Sequence, residues 1–304
     1  MPLRYMFLGI LLFAIGVAAP AHANSLFVAS NGNDAGACTR TAPCVSIGAA
    51  INLAFPNDTI ICLDPVSNGG FSITKSIDID CSGARATIRD GSSIVITLPV
   101  AAPDDPLRTV RLRGISINGA AGNAKVVTRG IEITSATMVS IEDCVISDVV
   151  QQGIFDHRTG GQTKLFITDS IIRNNGGVGI AIGSQGPSTT VLDNVRSENN
   201  NYGFAVVAGN SVVINRSVMS GNTVAGVEAD GGSQVVVNNS TISHNGSGVQ
   251  SAQSVRLSNN DIAFNTTAVS GSSGTFGNNR FSGNGTMGTS PAALGGASSD
   301  LGQQ

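Results

Sequence analysis

Short apolar segments alternate with polar turns along most of this 304-residue chain, and the pattern repeats every 20 to 25 residues or so. From residue 130 onward, each repeat opens with a small residue and a large apolar one, and two further strand-like segments follow. These openings are Gly130-Ile131, Gly153-Ile154, Gly179-Ile180, Gly203-Phe204, Gly226-Val227, Gly248-Val249 and Ala268-Val269. Alternation with a period of two predicts β-strands. Self-similarity at this length predicts a solenoid in which each coil buries its apolar face on its neighbours.

Two columns of apolar residues and two columns of polar residues are predicted to stack from coil to coil. The apolar columns are Ile141, Ile167, Val191, Ile214, Val237, Leu257, Phe276 and, interrupted by Arg196, Ile146, Ile172, Met219, Ile242, Ile262, Phe281. The polar columns are Asn175, Asn199, Asn222, Asn245, Asn265, Asn284 and, five residues earlier in each coil, Ser170, Asn194, Ser217, Ser240, Asn260, Asn279. Stacked polar side chains satisfy backbone groups of the turns and one another, so these ladders are interpreted as structural.

The repeat length and composition favour one kind of solenoid, a right-handed parallel β-helix of the all-β class over residues 57–285. Leucine-rich repeats share the period, but leucine is sparse here, and no six-residue repeat indicates a left-handed helix. The chain contains 38 glycines and no tryptophan, and it is rich in Val, Ile, Ser, Thr and Asn. This composition is typical of short strands joined by tight turns.

The two ends of the chain differ from the repeats. Residues 1–23 contain Arg4, an apolar run and a small-residue cleavage signal, which predicts a signal peptide and no membrane span once it is removed. Residues 24–56 are predicted to form an N-terminal cap, with a short strand and an amphipathic helix carrying Ile47, Ala50, Ile51 and Ala54 on one face. Residues 286–304 form a Gly-, Ser- and Ala-rich tail that we expect to be disordered.

The predicted export permits disulfides among the five cysteines. Cys38 and Cys44 flank a short turn, and Cys62 and Cys81 lie about one coil apart, so the hypothesis pairs them in this way among three possible pairings. Cys144 is then left over as a buried thiol in register with Ser170. The formal net charge of −3 and the lack of a basic patch argue against a nucleic-acid partner, and the sequence does not indicate an oligomeric state.

The repeat array 130–285 and the segment from Phe27 to Ile60 resemble the pectate-lyase-like superfamily, in particular secreted bacterial right-handed parallel β-helix proteins. The N-terminal part of the resemblance comprises Phe27–Asp34, Pro43, Ile47, Ala50-Ile51 and Pro56–Ile60. The superfamily includes polysaccharide lyases, hydrolases, esterases, epimerases and members without known catalysis. The resemblance therefore implies the fold and a polysaccharide partner, and it implies Ca²⁺ as a cofactor only for a calcium-assisted lyase.

The richest chemistry lies in Asp156-His157-Arg158, directly after a predicted strand. A carboxylate, an imidazole and a guanidinium could act as acid, base and anion-binding group, and the triplet is similar in part to Asp/His motifs of uronan epimerases. These three are the catalytic candidates, while Glu132 (one coil earlier), Lys164 and Tyr202 are the carbohydrate-binding candidates. The alternative is a turn whose charges are solvated or paired.

Two functional interpretations stay open at this level. The first is an exported, secreted or periplasmic protein that contacts extracellular or cell-surface polysaccharide, with a relative of uronan lyases or epimerases as its catalytic form. The second is a non-catalytic adhesin or envelope structural protein. Aromatic platforms and lysines are scarce, which weakens the case for catalysis, and Asp78 and Asp80 could hold Ca²⁺ but are typical of a polar outer face.

Overall fold

The computed structural model describes residues 23–89, 91–122 and 124–294. Strands β1–β34 and helix α1 are numbered along the chain. Thirty-two of the described strands form three long sheets, and the chain passes through sheet 3, sheet 1 and sheet 2 in each coil. The remaining two, β10 (Ala120–Ala121) and β11 (Ala124–Lys125), form an antiparallel hairpin.

All strand pairs in the three sheets are parallel, and each joins neighbouring coils. Sheet 1 contains β1 (Ser25–Val28), β2 (Asp58–Cys62), β5 (Ile77–Asp80), β8 (Thr109–Arg113), β13 (Met138–Glu142), β16 (Thr163–Thr168), β19 (Ser188–Asp193), β22 (Asn210–Asn215), β25 (Gln234–Asn238), β28 (Val255–Ser258), β31 (Gly274–Gly277) and β34 (Ala292–Ala293). Sheet 2 contains β3 (Val66–Asn68), β6 (Ala86–Ile88), β9 (Ile115–Asn118), β14 (Val145–Ser147), β17 (Ile171–Arg173), β20 (Arg196–Glu198), β23 (Val218–Ser220), β26 (Thr241–Ser243), β29 (Asp261–Ala263) and β32 (Arg280–Ser282). Sheet 3 contains β4 (Phe71–Ile73), β7 (Ile94–Thr97), β12 (Ile131–Ser135), β15 (Ile154–Asp156), β18 (Val178–Ile182), β21 (Tyr202–Val206), β24 (Ala225–Ala229), β27 (Ser247–Ser251), β30 (Thr267–Ser270) and β33 (Thr286–Gly288).

A glycine at or just before the start of most sheet 3 strands lets neighbouring coils approach closely. A Cβ atom on Gly153 would lie 2.7 Å from the carbonyl oxygen of Gly179 and 2.5 Å from a side-chain carbon of Ile172. Only glycine avoids these contacts without displacing the next coil. The predicted alignment of the first strand of each coil, which lies in sheet 3, is confirmed along the column from Ile131 to Val269.

Two coils differ from the predicted register by a single residue. Leu192, not Val191, pairs with Ile167 and Ile214 in the core of sheet 1, and Ser197, not Arg196, lies in the sheet 2 column. In the coil of β31, Thr275 rather than Phe276 pairs with Leu257. The other predicted members of both apolar columns are confirmed.

The same one-residue shift changes the predicted membership of both polar ladders. The backbone amide and Nδ2 of Asn175 both donate to Oδ1 of Asn200 at 3.0 Å, so Asn200 replaces the predicted Asn199. In the other ladder Val195 takes the position predicted for Asn194, and its amide donates to Ser217 Oγ at 3.1 Å. Asn194 and Asn199 instead have positive φ angles of 54° and 55°, a conformation that asparagine tolerates better than most residues.

Helix α1 (Ile47–Leu53) lies in the predicted N-terminal segment and buries Ile47, Ala50 and Ile51. Ser46 begins the helix because its side chain accepts a hydrogen bond from the Ala49 amide at 3.1 Å. The helix contacts β1, β2 and β4, and its role as a cap stays a prediction.

Both predicted disulfides, Cys38–Cys44 and Cys62–Cys81, are present. Cys144 is buried and unpaired, and its amide donates to Ser170 Oγ at 3.1 Å, as its predicted register requires. Burial raises the pKa of the Cys144 thiol to about 12. This thiol is therefore protonated and shielded at neutral pH.

The C-terminal boundary of the solenoid lies later than the predicted residue 285, because β33 and β34 continue two sheets beyond it. The rest of the predicted tail, 295–304, lies outside the described residues, as does nearly all of the predicted signal peptide. Within the described ranges, no helix has the length and apolar character needed to cross a membrane.

Candidate functional site

The predicted triplet lies where β15 of sheet 3 ends and the turn toward sheet 1 begins. Alternation along the strand sends neighbouring side chains to opposite faces. Asp156 therefore points into the core, in register with Ile133 below and Ile182 above, whereas His157 remains on the outer face with 34% of its side chain exposed.

Asp156 and Arg158 form a buried ion pair instead of an open catalytic pair. Asp156 is 0% and Arg158 is 1% exposed. Arg158 Nε donates to Asp156 Oδ1 at 2.8 Å and Nη2 donates to Oδ2 at 2.5 Å. Arg158 Nη1 also donates to the carbonyls of Ala136 and Lys164, each at 3.2 Å. For these two residues the charges are paired, as the alternative interpretation of the turn expects, because the arginine turns inward to neutralise the buried carboxylate.

His157 instead belongs to an outward cluster that spans two coils, which we call the sheet 3 cluster: Arg129, Glu132, Phe155 and His157. Glu132 Oε1 lies 2.9 Å from both His157 Nε2 and Arg129 Nη1. The Phe155 and His157 rings stack with centroids 4.5 Å apart and an angle of 11°. The Arg129 guanidinium lies 4.8 Å from the Phe155 centroid, within cation–π distance.

The other two predicted binding residues lie elsewhere. Lys164 is exposed on sheet 1, where it pairs with Met138 and Thr189. Tyr202 lies three coils above Glu132, about 14 Å away at the usual strand spacing. Of the six site residues predicted from sequence, the structure thus brings only Glu132 and His157 into side-chain contact on the outer face.

Sequence reasoning missed Arg129 and Phe155 as members of the cluster. A usable signal was present, because the residue after each Gly-apolar pair points outward and Phe155 occupies that position in its coil. On the next coil Phe155 pairs with Ala181, and a Cβ on Gly183 would lie 3.2 Å from the Phe155 ring. Small residues above the cluster therefore leave the ring partly uncovered.

A second charged cluster covers sheet 1 across three coils, from Asp78 and Asp80 through Arg111 and Arg113 to Glu142. Arg111 donates to both Glu142 carboxylate oxygens at 2.8 Å, and Arg113 Nη1 donates to Asp80 at 2.8 Å. Burial raises the pKa of Asp78 above its ordinary value. Because arginines engage these carboxylates, they do not fit the ligand set that Ca²⁺ requires. No group of three His, Cys, Asp or Glu side chains suited to a metal occurs among the described residues.

A third acidic position lies on the outer face of sheet 3, three coils above Phe155. Burial, and then the nearby Asp230 charge, raises the pKa of Glu228 to about 7. The register Phe155, Ala181, Ala205, Glu228 places about three strand spacings between this position and the sheet 3 cluster. Glu228 and His157 are therefore too far apart to act together directly.

Comparison with known sequences identifies the coils. The profile of proteins with a "Right handed beta helix region" matches residues 108–195 and 129–284, which together cover more than half of the chain. The matches include β12, β15 and the turn that carries the sheet 3 cluster. No curated protein matches the chain.

Solved structures share the fold at low sequence identity. The A-module of the Azotobacter vinelandii mannuronan C-5 epimerase AlgE4 aligns with a TM-score of 0.51 and 15% identity, over 79% of this chain and 91% of that chain. The pectate lyase Pel9A aligns with a TM-score of 0.51 and 15% identity, over 90% of this chain and 79% of that chain. The A-module of the Azotobacter vinelandii epimerase AlgE6 aligns with a TM-score of 0.50 and 15% identity, over 78% and 89%. The predicted pectate-lyase-like right-handed parallel β-helix is confirmed, and at this identity the likeness concerns the fold alone.

Proposed function

The chain belongs to the family of proteins with a right-handed β-helix region, and from this premise we propose that it is an exported protein that binds an extracellular or cell-surface polysaccharide. The proposed binding surface is the sheet 3 cluster. One observation carries the proposal: Glu132 hydrogen-bonds both Arg129 and His157 while the Phe155 and His157 rings stack. Charged, hydrogen-bonding and planar apolar groups thus meet on one partly exposed surface. Binding sites for polar ligands combine such groups.

Three further observations support a polysaccharide and export. The solved structures of similar fold are named as mannuronan epimerases and a pectate lyase, which favours a polysaccharide among possible ligands. The two disulfides are typical of proteins in oxidising compartments. The formal net charge of −3 disfavours nucleic acid.

Burial of Asp156 and Arg158 favours binding over catalysis. A lyase or epimerase step needs a group that takes a proton beside a uronate carboxylate and a cation that stabilises the resulting charge. Within the predicted triplet, His157 alone is exposed enough to meet substrate. Arg129 could supply the cation, but it already donates to Glu132 and to Gln152. A non-catalytic adhesin or envelope protein that uses the same surface is therefore the second candidate function.

The test measures polysaccharide binding and turnover with residues 24–304. Pectate, alginate and glycosaminoglycans are presented with and without Ca²⁺. Retention on immobilised polymer reports binding, and ultraviolet absorbance of unsaturated sugar ends reports lyase activity. We expect wild type to bind one polymer, and we expect His157→Asn or Glu132→Gln to weaken that binding roughly tenfold, the effect of losing about 1.4 kcal/mol.

His244→Asn is the matched control, because His244 also contacts an aromatic ring, that of Phe264, at 5.3 Å, but on a different corner of the solenoid. Equal binding by wild type and His157→Asn, or equal loss in His244→Asn, would contradict the proposed surface. Turnover that disappears only in His157→Asn would identify a lyase rather than a binding protein.

A further inference from the structure

A cleft of about 330 Å³ lies at the corner between sheet 3 and sheet 1. Its walls come from three places: the segment that leads into β8, the link between β12 and β13, and the turn between β15 and β16. We infer that this cleft binds a small sugar acid, a molecule of monosaccharide size with one carboxylate and several hydroxyls. Small-molecule sites start at about this volume. The inference goes beyond the polysaccharide proposal, because none of the four sheet 3 cluster residues lines the cleft.

Arg108 provides a cation whose hydrogen-bonding capacity is only partly used. Its Nη2 donates to the Leu98 carbonyl at 3.1 Å and to Ser135 Oγ at 2.6 Å, but its Nε is buried without a partner. Among the described residues, no carboxylate forms an ion pair with this guanidinium. The Asp105 carboxylate accepts from the Arg108 backbone amide at 3.2 Å instead. A ligand carboxylate would satisfy both the free N–H and the charge.

Thr163 provides a second unused group in the same cleft. Thr163 is only 6% exposed, and its Oγ1 has no hydrogen-bond partner. Buried polar groups are normally paired, so an orphaned hydroxyl that borders a cleft indicates a place for a ligand group. A hydroxyl of a sugar can either donate to or accept from Thr163 Oγ1.

The spacing of these two groups sets the size of the ligand. The Thr137 amide donates to the Arg108 carbonyl, and the Lys164 amide donates to the Thr137 carbonyl. Arg108, Thr137 and Thr163 thus lie on three successive coils, with roughly 10 Å between the outer two backbones. A simple anion contacts one end of this span, whereas a sugar acid can place its carboxylate toward Arg108 and a hydroxyl toward Thr163.

The charge and the mouth of the cleft fit an anion of this kind. Arg158 also lines the cleft, but Asp156 neutralises it, so the unpaired positive charge there is that of Arg108. Gly160 and Gly161 form one wall with φ angles of 82° and 76°. A Cβ at either position would meet nothing within 4 Å, so the turn leaves the cleft open.

Isothermal titration calorimetry on residues 24–304 tests the inference with four probes: glucuronate, glucose, acetate and a glucuronate-containing oligosaccharide. We expect glucuronate to bind at least tenfold more tightly than glucose or acetate. We expect Arg108→Gln to lower glucuronate affinity about tenfold or more, because a charge-assisted contact is lost. We expect Thr163→Val, which removes the hydroxyl at nearly constant volume, to lower it about threefold.

Two control variants match the perturbations without touching the cleft. Arg85→Gln removes an arginine with the same left-handed backbone, φ 57° against 50° for Arg108, from an exposed pair with Asp143. Thr190→Val removes another buried hydroxyl without a partner. Both controls should bind glucuronate as wild type does.

Equal affinity for glucuronate and glucose, or equal losses in a variant and its control, would overturn the inference. Should Arg108→Gln fail to fold, the comparison of Thr163→Val with Thr190→Val decides. Tighter binding of the oligosaccharide would identify the ligand as a chain end, and equal binding as the free acid. Glucuronate binding without retention on any polymer would support this site and contradict the polysaccharide proposal, so the two fail separately.

Discussion

The buried pair of Asp156 and Arg158 provides the sharpest test of how this solenoid is stabilised. Arg158→Met keeps an apolar stem of similar length but leaves the Asp156 carboxylate, 0% exposed, without its counter-ion. An uncompensated buried charge of this kind costs about 3–5 kcal/mol. We therefore expect Arg158→Met to lower the free energy of unfolding by about that amount.

The double variant Asp156→Ile/Arg158→Met should recover most of the loss. Isoleucine at 156 would continue the column formed by Ile133 and Ile182, and burying it contributes about 1.5–3 kcal/mol. The remaining cost is at the Ala136 and Lys164 carbonyls, which lose the Arg158 donor. A buried acceptor left unpaired costs about 1–3 kcal/mol. We expect the double variant to be at least about 2 kcal/mol more stable than Arg158→Met.

Equilibrium urea unfolding, followed by far-ultraviolet circular dichroism, measures these differences as midpoint shifts at constant slope. Arg216→Met is the control, because it breaks the exposed Arg216–Asp193 pair, and exposed pairs contribute little. A shift in Arg158→Met no larger than in this control would refute the assigned cost of the buried charge. A double variant no more stable than Arg158→Met would refute the claim that the carboxylate, rather than the lost arginine packing, causes it.

Three further predictions concern separate parts of the chain. Burial, and then the Asp230 charge, raises the pKa of Glu228 from 4.5 to about 7, so the contribution of this group to stability is complete below pH 4.5 and is lost as the pH rises through 7. The melting temperature should therefore fall less between pH 5 and pH 8 for Glu228→Gln than for wild type. Gly179→Ala would place a Cβ 2.7 Å from a carbonyl oxygen of the next coil, so urea unfolding should show a loss of about 1–3 kcal/mol, whereas Gly83→Ala, with nothing within 4 Å, should lose much less. Cys144, buried with a pKa of about 12, should resist alkylation at pH 8 until the chain is unfolded, and mass spectrometry of labelled native protein would disprove this if it showed rapid modification.

At one rung of the asparagine ladder the register could not be predicted from sequence, because two equivalent residues stand side by side. Asn199 and Asn200 are adjacent, and either could occupy the ladder. Packing decides, because one asparagine must take the left-handed turn conformation and the next must face inward to accept the Asn175 amide. Local pattern does not distinguish these roles when both residues have the same side chain.

At the candidate site, too, local sequence pattern predicts only part of the arrangement, and packing decides the rest. Adjacency along the chain groups Asp156, His157 and Arg158, but strand alternation sends Asp156 inward and His157 outward. Counting from Ile154 would have placed Asp156 in the core. The inward turn of Arg158 could not be predicted in this way, because it depends on a carboxylate and two carbonyls that converge only in the folded chain.

The sequence by itself determined the coil period, the faces of most strands and the ladder residue types, because each of these depends on spacing along the chain. It left three disulfide pairings open, and the structure decided between them. The tertiary structure decided which charges meet. Glu132 reaches His157 across 25 residues, and Arg111 reaches Glu142 across 31. Such contacts depend on how turns of unequal length set one coil above the next. That stacking is a collective result of packing and interstrand hydrogen bonds, which no local pattern specifies.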